Sequence, residues 1–328
     1  MADVLLNPAF PQDELDKWKT RLRASLEQAK SQPGFLANDR LLKVLYGNDA
    51  RQYAHATPAS LDKITRETIL DHYRKYYVPA GQWAGISGDI TPLDAAAKLN
   101  RVLGSWKGGP IERIVLPLPG PIAEKKVYLI SRPNSVQTLL MVTNHGMGRN
   151  SPDYIACQVM NRVLGAGPSS RLFRIVREEK GYTYGIGSGF TAAHNYAFFN
   201  ASTSVRTEVT EAALTEILAQ LGDIRDRAVP ADELADAKSA IVAGFVLGLE
   251  SSASVLSQWM TQREYNLPED YWDTYPQKVM AVTAEDAERV AKKYVPLDNA
   301  QIIVVGDVSK IGELLKKFGP VEEISPDN

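Results

Sequence analysis

The sequence predicts an α/β (α+β) sandwich, with helices on a mixed, largely antiparallel sheet, built by duplicating one unit whose first copy is incomplete. Three observations predict it. The same succession of landmarks recurs at an offset of roughly 218 residues. The second copy carries several short alternating strands ahead of those landmarks, and the first copy has no counterpart of them. Strands that follow one another directly, rather than alternating with helices, argue against a doubly wound parallel sheet.

Taken in order, Phe10-Pro11-Gln12-Asp13-Glu14-Leu15 opens a helix, because proline is tolerated in a first turn and Leu15, Trp18, Leu22 and Leu26 then share one face. Thr65-Arg66-Glu67 caps a helix that runs to Tyr77-Val78-Pro79, followed by a strand-like run to Gly88-Asp89-Ile90 and another helix. In the second copy, Val229-Pro230-Ala231-Asp232-Glu233-Leu234 repeats the first of these starts. Thr283-Ala284-Glu285 repeats the second, through Tyr294-Val295-Pro296, a strand over 302–305 and Gly306-Asp307-Val308. The front half of the second copy, about 125–228, reads as strands at 127–131 and 138–143, a helix after Asp153, a strand at 197–203 and a helix at 210–221.

The counterpart of Pro230 already lies at Pro11, so the sequence reads as N-terminally short by one half-unit, on the order of a hundred residues. A leader ahead of such a half-unit would make the protein periplasmic; without one it is cytoplasmic. Gly108-Gly109-Pro110 and Pro117-Leu118-Pro119-Gly120-Pro121 interrupt all periodicity. They divide the chain into the C-terminal half of a first repeat (1–107), a linker (108–122) and a complete second repeat (123–322).

Bulk properties exclude several partners. Lys plus Arg (37) nearly balance Asp plus Glu (39) with no basic stripe, which speaks against nucleic acid and anionic membranes. No apolar run reaches membrane-spanning length, and the first residues carry no charged n-region with an apolar core. The single cysteine, Cys157, sits in the helical pattern of Tyr154, Ile155, Val159, Met160 and Val163, where it is expected to pack as a small hydrophobe.

Chemistry concentrates at residues 165–190. A loop of Gly165, Ala166 and Gly167 feeds a short charged helix with Leu172 and Val176 inward and Phe173 a third candidate; Ser169 and Ser170 are placed to cap it, Gly181 ends it, and an alternating strand follows. This leaves Arg177 near the helix end and Tyr184 on the adjoining strand. On one account Arg177 pairs with Glu178 or a neighbouring helix and Tyr184 packs on the sheet. On the other, guanidinium and phenol donate hydrogen bonds to a substrate carbonyl or an oxyanion.

Other chemistries find no support. The four histidines, His55, His72, His145 and His194, form no HxxEH or HxxxH pair, and there is no CxxC, so no helix presents two metal ligands on one face. Gly185, Gly187 and Gly189 follow a helix instead of preceding one, so no phosphate would meet a helix N-terminus. No GxSxG elbow surrounds Ser169 or Ser170.

The stretch from Leu164-Gly165-Ala166-Gly167-Pro168-Ser169-Ser170-Arg171-Leu172-Phe173 through Arg177-Glu178-Glu179-Lys180-Gly181-Tyr182-Thr183-Tyr184 resembles the pitrilysin/insulinase family of zinc metallopeptidases. Asn161, the segment Pro230-Ala231-Asp232-Glu233-Leu234 and both Tyr-Val-Pro…Gly-Asp segments extend the likeness over nearly the whole chain. The resemblance implies a duplicated metallopeptidase-like α/β domain, paired half-shells around a chamber, and unfolded peptide as substrate. The family's HxxEH zinc motif belongs to the front half that the first copy lacks. Its third ligand, a glutamate, falls at Ser25, beside Ala24, and Glu27 lies on another face of the helix.

The resemblance therefore implies a zinc-free member, with no cofactor in this chain and zinc in a homologous HxxEH-bearing catalytic subunit. The family's substrate-stabilising pair maps onto Arg177 and Tyr184, acting in trans, and the strand from Tyr184 to Phe190 would add peptide by edge pairing. The alternative is a structural or binding scaffold like the family's respiratory-complex core subunits, without a role in proteolysis.

Overall fold

A computed structural model of the chain describes every residue except 48, 112, 113, 115, 192, 195, 196 and 326–328. Helices α1 (Ala2–Leu6), α2 (Gln12–Ala29), α3 (Pro33–Tyr46), α4 (Pro58–Asp62), α5 (Arg66–Tyr76) and α6 (Pro92–Leu103) precede strands β1 (Lys126–Ser131) and β2 (Gln137–His145). Next come α7 (Tyr154–Leu164), a π-helix (Phe173–Glu179), β3 (Thr183–Phe190) and β4 (Phe198–Arg206). The chain continues through α8 (Thr210–Asp226), α9 (Ala231–Gly248), α10 (Ser252–Glu264), α11 (Tyr271–Ala281), α12 (Ala284–Tyr294), β5 (Gln301–Gly306), α13 (Val308–Leu315) and β6 (Val321–Ile324).

Capping fixes the repeated helix starts. Thr65 accepts from the Thr68 N–H and Thr283 from the Asp286 N–H, each within a reciprocal capping box. Three parts of the linker expected at 108–122, residues 112, 113 and 115, lie outside the described residues; its other residues carry no helix or strand.

Two compact units emerge. One comprises Met1–Ala29, His55–Pro117 and Leu249–Met260, and the other Lys30–Ala54, Leu118–Gly248 and Thr261–Asn328. The second unit holds a mixed six-stranded sheet in the order β3-β4-β2-β5-β1-β6. Three neighbouring pairs are antiparallel, and β1 is parallel to both β5 and β6. This is the mixed, largely antiparallel sheet with helices that the sequence predicts.

Every residue of β5 is buried, as its uninterrupted Ile302-Ile303-Val304-Val305 run requires of a strand covered on both faces. Ile302 and Val304 face a core shared with Val159 and Met160 of α7, Leu214 of α8 and Val290 of α12. Ile303 and Val305 face the opposite way, against Leu36, Leu41 and Leu45 of α3. Each such side chain stabilises the unit by about 1.5–3 kcal/mol relative to exposure.

The first unit differs from expectation at two places. The strand-like run expected up to Gly88-Asp89-Ile90 forms no strand, and residues 82–88 within it are all exposed. A strand exists only against a neighbour; β5 has β1 and β2, whereas no strand pairs with 82–88 among the described residues. Trp18, expected inward on α2 with Leu15 and Leu26, stays 42% exposed.

Candidate functional site

The site is built from the last turn of the π-helix and the first residues of β3. Arg171 anchors its approach: its guanidinium is buried and paired with Asp223 of α8 at 2.8 Å and Glu233 of α9 at 2.6 Å. A buried arginine satisfied by two carboxylates fixes the segment that follows it. Leu172 and Val176 point into the core as predicted. Ser170 does not cap the helix, because its hydroxyl donates to the Gly167 carbonyl at 2.6 Å.

The helix then runs in π register, with the Lys180 N–H donating to the Ile175 carbonyl, five residues back, at 3.0 Å. Gly181 ends it in the left-handed region, φ +63°, and donates to the Arg177 carbonyl at 3.1 Å.

β3 starts with an irregularity. Thr183 lies opposite Val205 and Ile186 opposite Thr203, so Tyr184 and Gly185 bulge from the ladder. The Thr183 hydroxyl holds the bulge, donating to the Ser204 carbonyl at 2.8 Å and accepting from the Gly185 N–H at 3.1 Å. Bulging lifts Tyr184 off the sheet and leaves it 92% exposed.

Arg177 meets it there. The guanidinium carbon lies 5.5 Å from the Tyr184 ring centroid and 4.5 Å from that of Phe173, four residues earlier on the π-helix. Both distances are within cation–π range. Among the described residues Arg177 has no carboxylate partner, while its neighbour Arg174 takes Glu179 at 2.5 Å. The structure thus brings the two sequence-predicted residues together and pairs Arg177 with neither Glu178 nor a neighbouring helix.

β3 is an edge strand of the sheet. Part of that edge is covered: the Ser188 N–H donates to the Gly165 carbonyl at 3.1 Å, and its carbonyl accepts from the Asn161 side-chain amide at 2.9 Å. Beside Tyr184 lies an open trough lined by Gln137, Gly181, Thr183, Ser204 and Arg206.

Sequence reasoning missed the aromatic floor that Phe173 forms and the anchoring role of Arg171. For Arg171, a charged residue between the small loop and the apolar Leu172 was the available signal. His145, at the end of β2, packs its ring 5.9 Å from Tyr46, and burial holds its pKa below the ordinary histidine value. Cys157 is fully buried, as expected of a packed hydrophobe, and burial pushes its thiol up to about 12.

The residues do not fit a zinc ion. Ser25, where the family's third ligand would fall, sits on α2 with Ala24 and Glu27 exposed beside it. Among the described residues no three His, Cys, Asp or Glu side chains gather to hold a metal.

Residues 63–241 match the peptidase M16 inactive domain. An uncharacterized zinc protease of Streptomyces coelicolor is 22% identical over 89% of this chain and 65% of its own length. A protein of Helicobacter pylori named a non-peptidase homolog is 22% identical over 94% of this chain and 72% of its own. The chain thus spans about two thirds of the length of these relatives. A crystal structure of a peptidase M16 inactive domain from Pseudomonas fluorescens superposes with a TM-score of 0.84 at 30% identity, covering 93% of this chain and 73% of that one. A chain of complex III from Candida albicans shares the fold, with a TM-score of 0.77 at 15% identity over 98% of this chain and 77% of that one.

Proposed function

Because this chain belongs to the peptidase M16 family and matches its inactive domain, we propose that it is the non-catalytic subunit of a heterodimeric zinc endopeptidase. It completes the peptide-binding chamber and lends Arg177 and Tyr184 to a homologous HxxEH-bearing partner. The organisation into repeats 1–107 and 123–322 around a linker at 108–122 is part of the same proposal. One observation carries the reading: Arg177 is held over aromatic rings, with no carboxylate partner among the described residues, next to a tyrosine that a bulge has lifted into solvent.

Arg174, on the same helix, pairs with an acid, whereas Arg177 has none among the described residues. Without one, the in-plane N–H groups of Arg177 and the phenolic O–H of Tyr184 remain donors for a carbonyl oxygen on which charge develops. Unfolded peptide suits the exposed, strand-edge position, where backbone pairing is available on the Tyr184 side of Ser188. The hydrolytic chemistry belongs to the partner.

Reconstitution with that partner tests the reading. Arg177→Ala and Tyr184→Phe are each expected to lower turnover of an unstructured fluorogenic peptide by roughly 100- to 1,000-fold, and metal analysis of this chain alone to find no stoichiometric zinc. Turnover that survives both changes would sink the proposal.

A second reading, a scaffold without a part in proteolysis, draws on the fold shared with the complex III chain. Under it, a stable assembly forms with partners that carry no HxxEH motif, and the two substitutions leave that assembly intact.

A further inference from the structure

We infer that Phe173 is a positioning residue for Arg177. The inference rests on the proposed role of Arg177 and deepens it by explaining how an arginine with no acidic partner is kept in one place. A long, rotamer-rich side chain that is half exposed and unpaired costs conformational entropy to order. An ion pair would supply that order, but would also occupy the donors. An aromatic floor orders the guanidinium through its face and leaves the in-plane N–H groups free.

The geometry has these features. The Arg177 guanidinium carbon is closer to the Phe173 centroid (4.5 Å) than to that of Tyr184 (5.5 Å), so Phe173 makes the nearer contact. Phe173 is itself fixed: it follows Leu172, fully buried, and Arg171, clamped by Asp223 and Glu233. Tyr184, by contrast, is almost wholly exposed and so is a poor anchor. The order of cause runs from the buried Arg171 clamp, through Phe173, to Arg177, and from there to Tyr184. At the end of the same helix Glu179 pairs with Arg174 and not with Arg177.

The experiment uses the full chain and has two arms. In the first, the Arg177 Nε–Hε resonance is assigned by its loss in Arg177→Lys and followed by NMR. Over a ring face the Hε signal is shifted upfield and the side chain is ordered. Phe173→Leu is expected to move the signal downfield and raise side-chain mobility, while Phe173→Tyr, which keeps the ring, leaves both in place. An unchanged signal in Phe173→Leu, or an equal change in both variants, overturns the inference.

The second arm measures hydrolysis of an unstructured fluorogenic peptide by the reconstituted heterodimer. Phe173→Leu is expected to lower kcat/KM by between about 2- and 30-fold, Phe173→Tyr to restore it, and Phe173→Leu to cost nothing more once Arg177 is alanine. A loss that is just as large in the Arg177→Ala background means that Phe173 acts through the fold, and the inference falls. Should Arg177→Ala itself leave turnover unaltered, the proposed function fails while the NMR arm still decides the place of Phe173.

Discussion

Asp153 shows how much one side chain can hold. Its carboxylate accepts from Arg289 at 2.6 Å and from Lys293 and Tyr294 at 2.8 Å each, tying the start of α7 to α12. Burial alone would raise its pKa; the three donors outweigh burial and hold it at about 2, below the ordinary 3.8. A depressed folded-state pKa contributes stability that is complete above the unfolded value and lost as pH falls from about 4 towards 2. The drop corresponds to roughly 2 kcal/mol. Asp153→Asn is therefore expected to lower stability by about that amount at pH 7 and to flatten the acid limb of the profile. Urea unfolding at pH 7, 4 and 3 checks both.

Among the elements, β3 is the one on which the site depends, and a glycine sets its position. A Cβ on Gly165 would lie 2.2 Å from the Ser188 hydroxyl and 2.7 Å from its backbone nitrogen. Asn161 locks the same place, its carboxamide oxygen accepting from the Ser188 hydroxyl at 2.7 Å. Gly165→Ala is expected to cost about 1–3 kcal/mol, read as a fall of several degrees in Tm. Adding Ser188→Gly would recover only part of it, since the backbone contact remains.

Elements with local signals were legible in the sequence: the capped starts at Thr65 and Thr283, the alternation of β4, and the apolar run of β5. What pairing decides was not. The four residues of β6, two of them glutamate, form a strand because β1 is beside them, and the run up to Ile90 does not because no strand pairs with it among the described residues. The same holds at the site. Arg177 near the helix end and Tyr184 on the adjoining strand stood out as polar residues, but the bulge that lifts Tyr184 arises from pairing with β4, which no local pattern encodes.

At the scale of the molecule, the two units are unequally provisioned. The second has two apolar cores. The first buries few large apolar side chains among the described residues, chiefly Leu15, Leu26, Leu61 and Val78, and leaves Trp83 53% and Ile86 47% exposed. With Val255, Leu256 and Trp259 of α10, residues 84–87 line an open apolar trough of about 580 Å³. Contiguous apolar surface of this kind binds hydrophobic dyes and promotes association. The purified chain is expected to enhance ANS fluorescence and to self-associate with concentration in sedimentation velocity, both reduced by Ile86→Lys. A monodisperse chain that leaves the dye dark would contradict this.

The order of strands in the sheet also sets a timetable. β5 lies between β1 and β2, yet Lys126 waits for Gln301 and Val127 for Val321, far along the chain. Such non-local pairings are slow to form and come last during synthesis. The hairpin of β3 and β4 that bears Tyr184 emerges from the ribosome long before the strand that closes the sheet around it. For that interval the nascent chain carries the site's residues without the closed sheet that holds them in place.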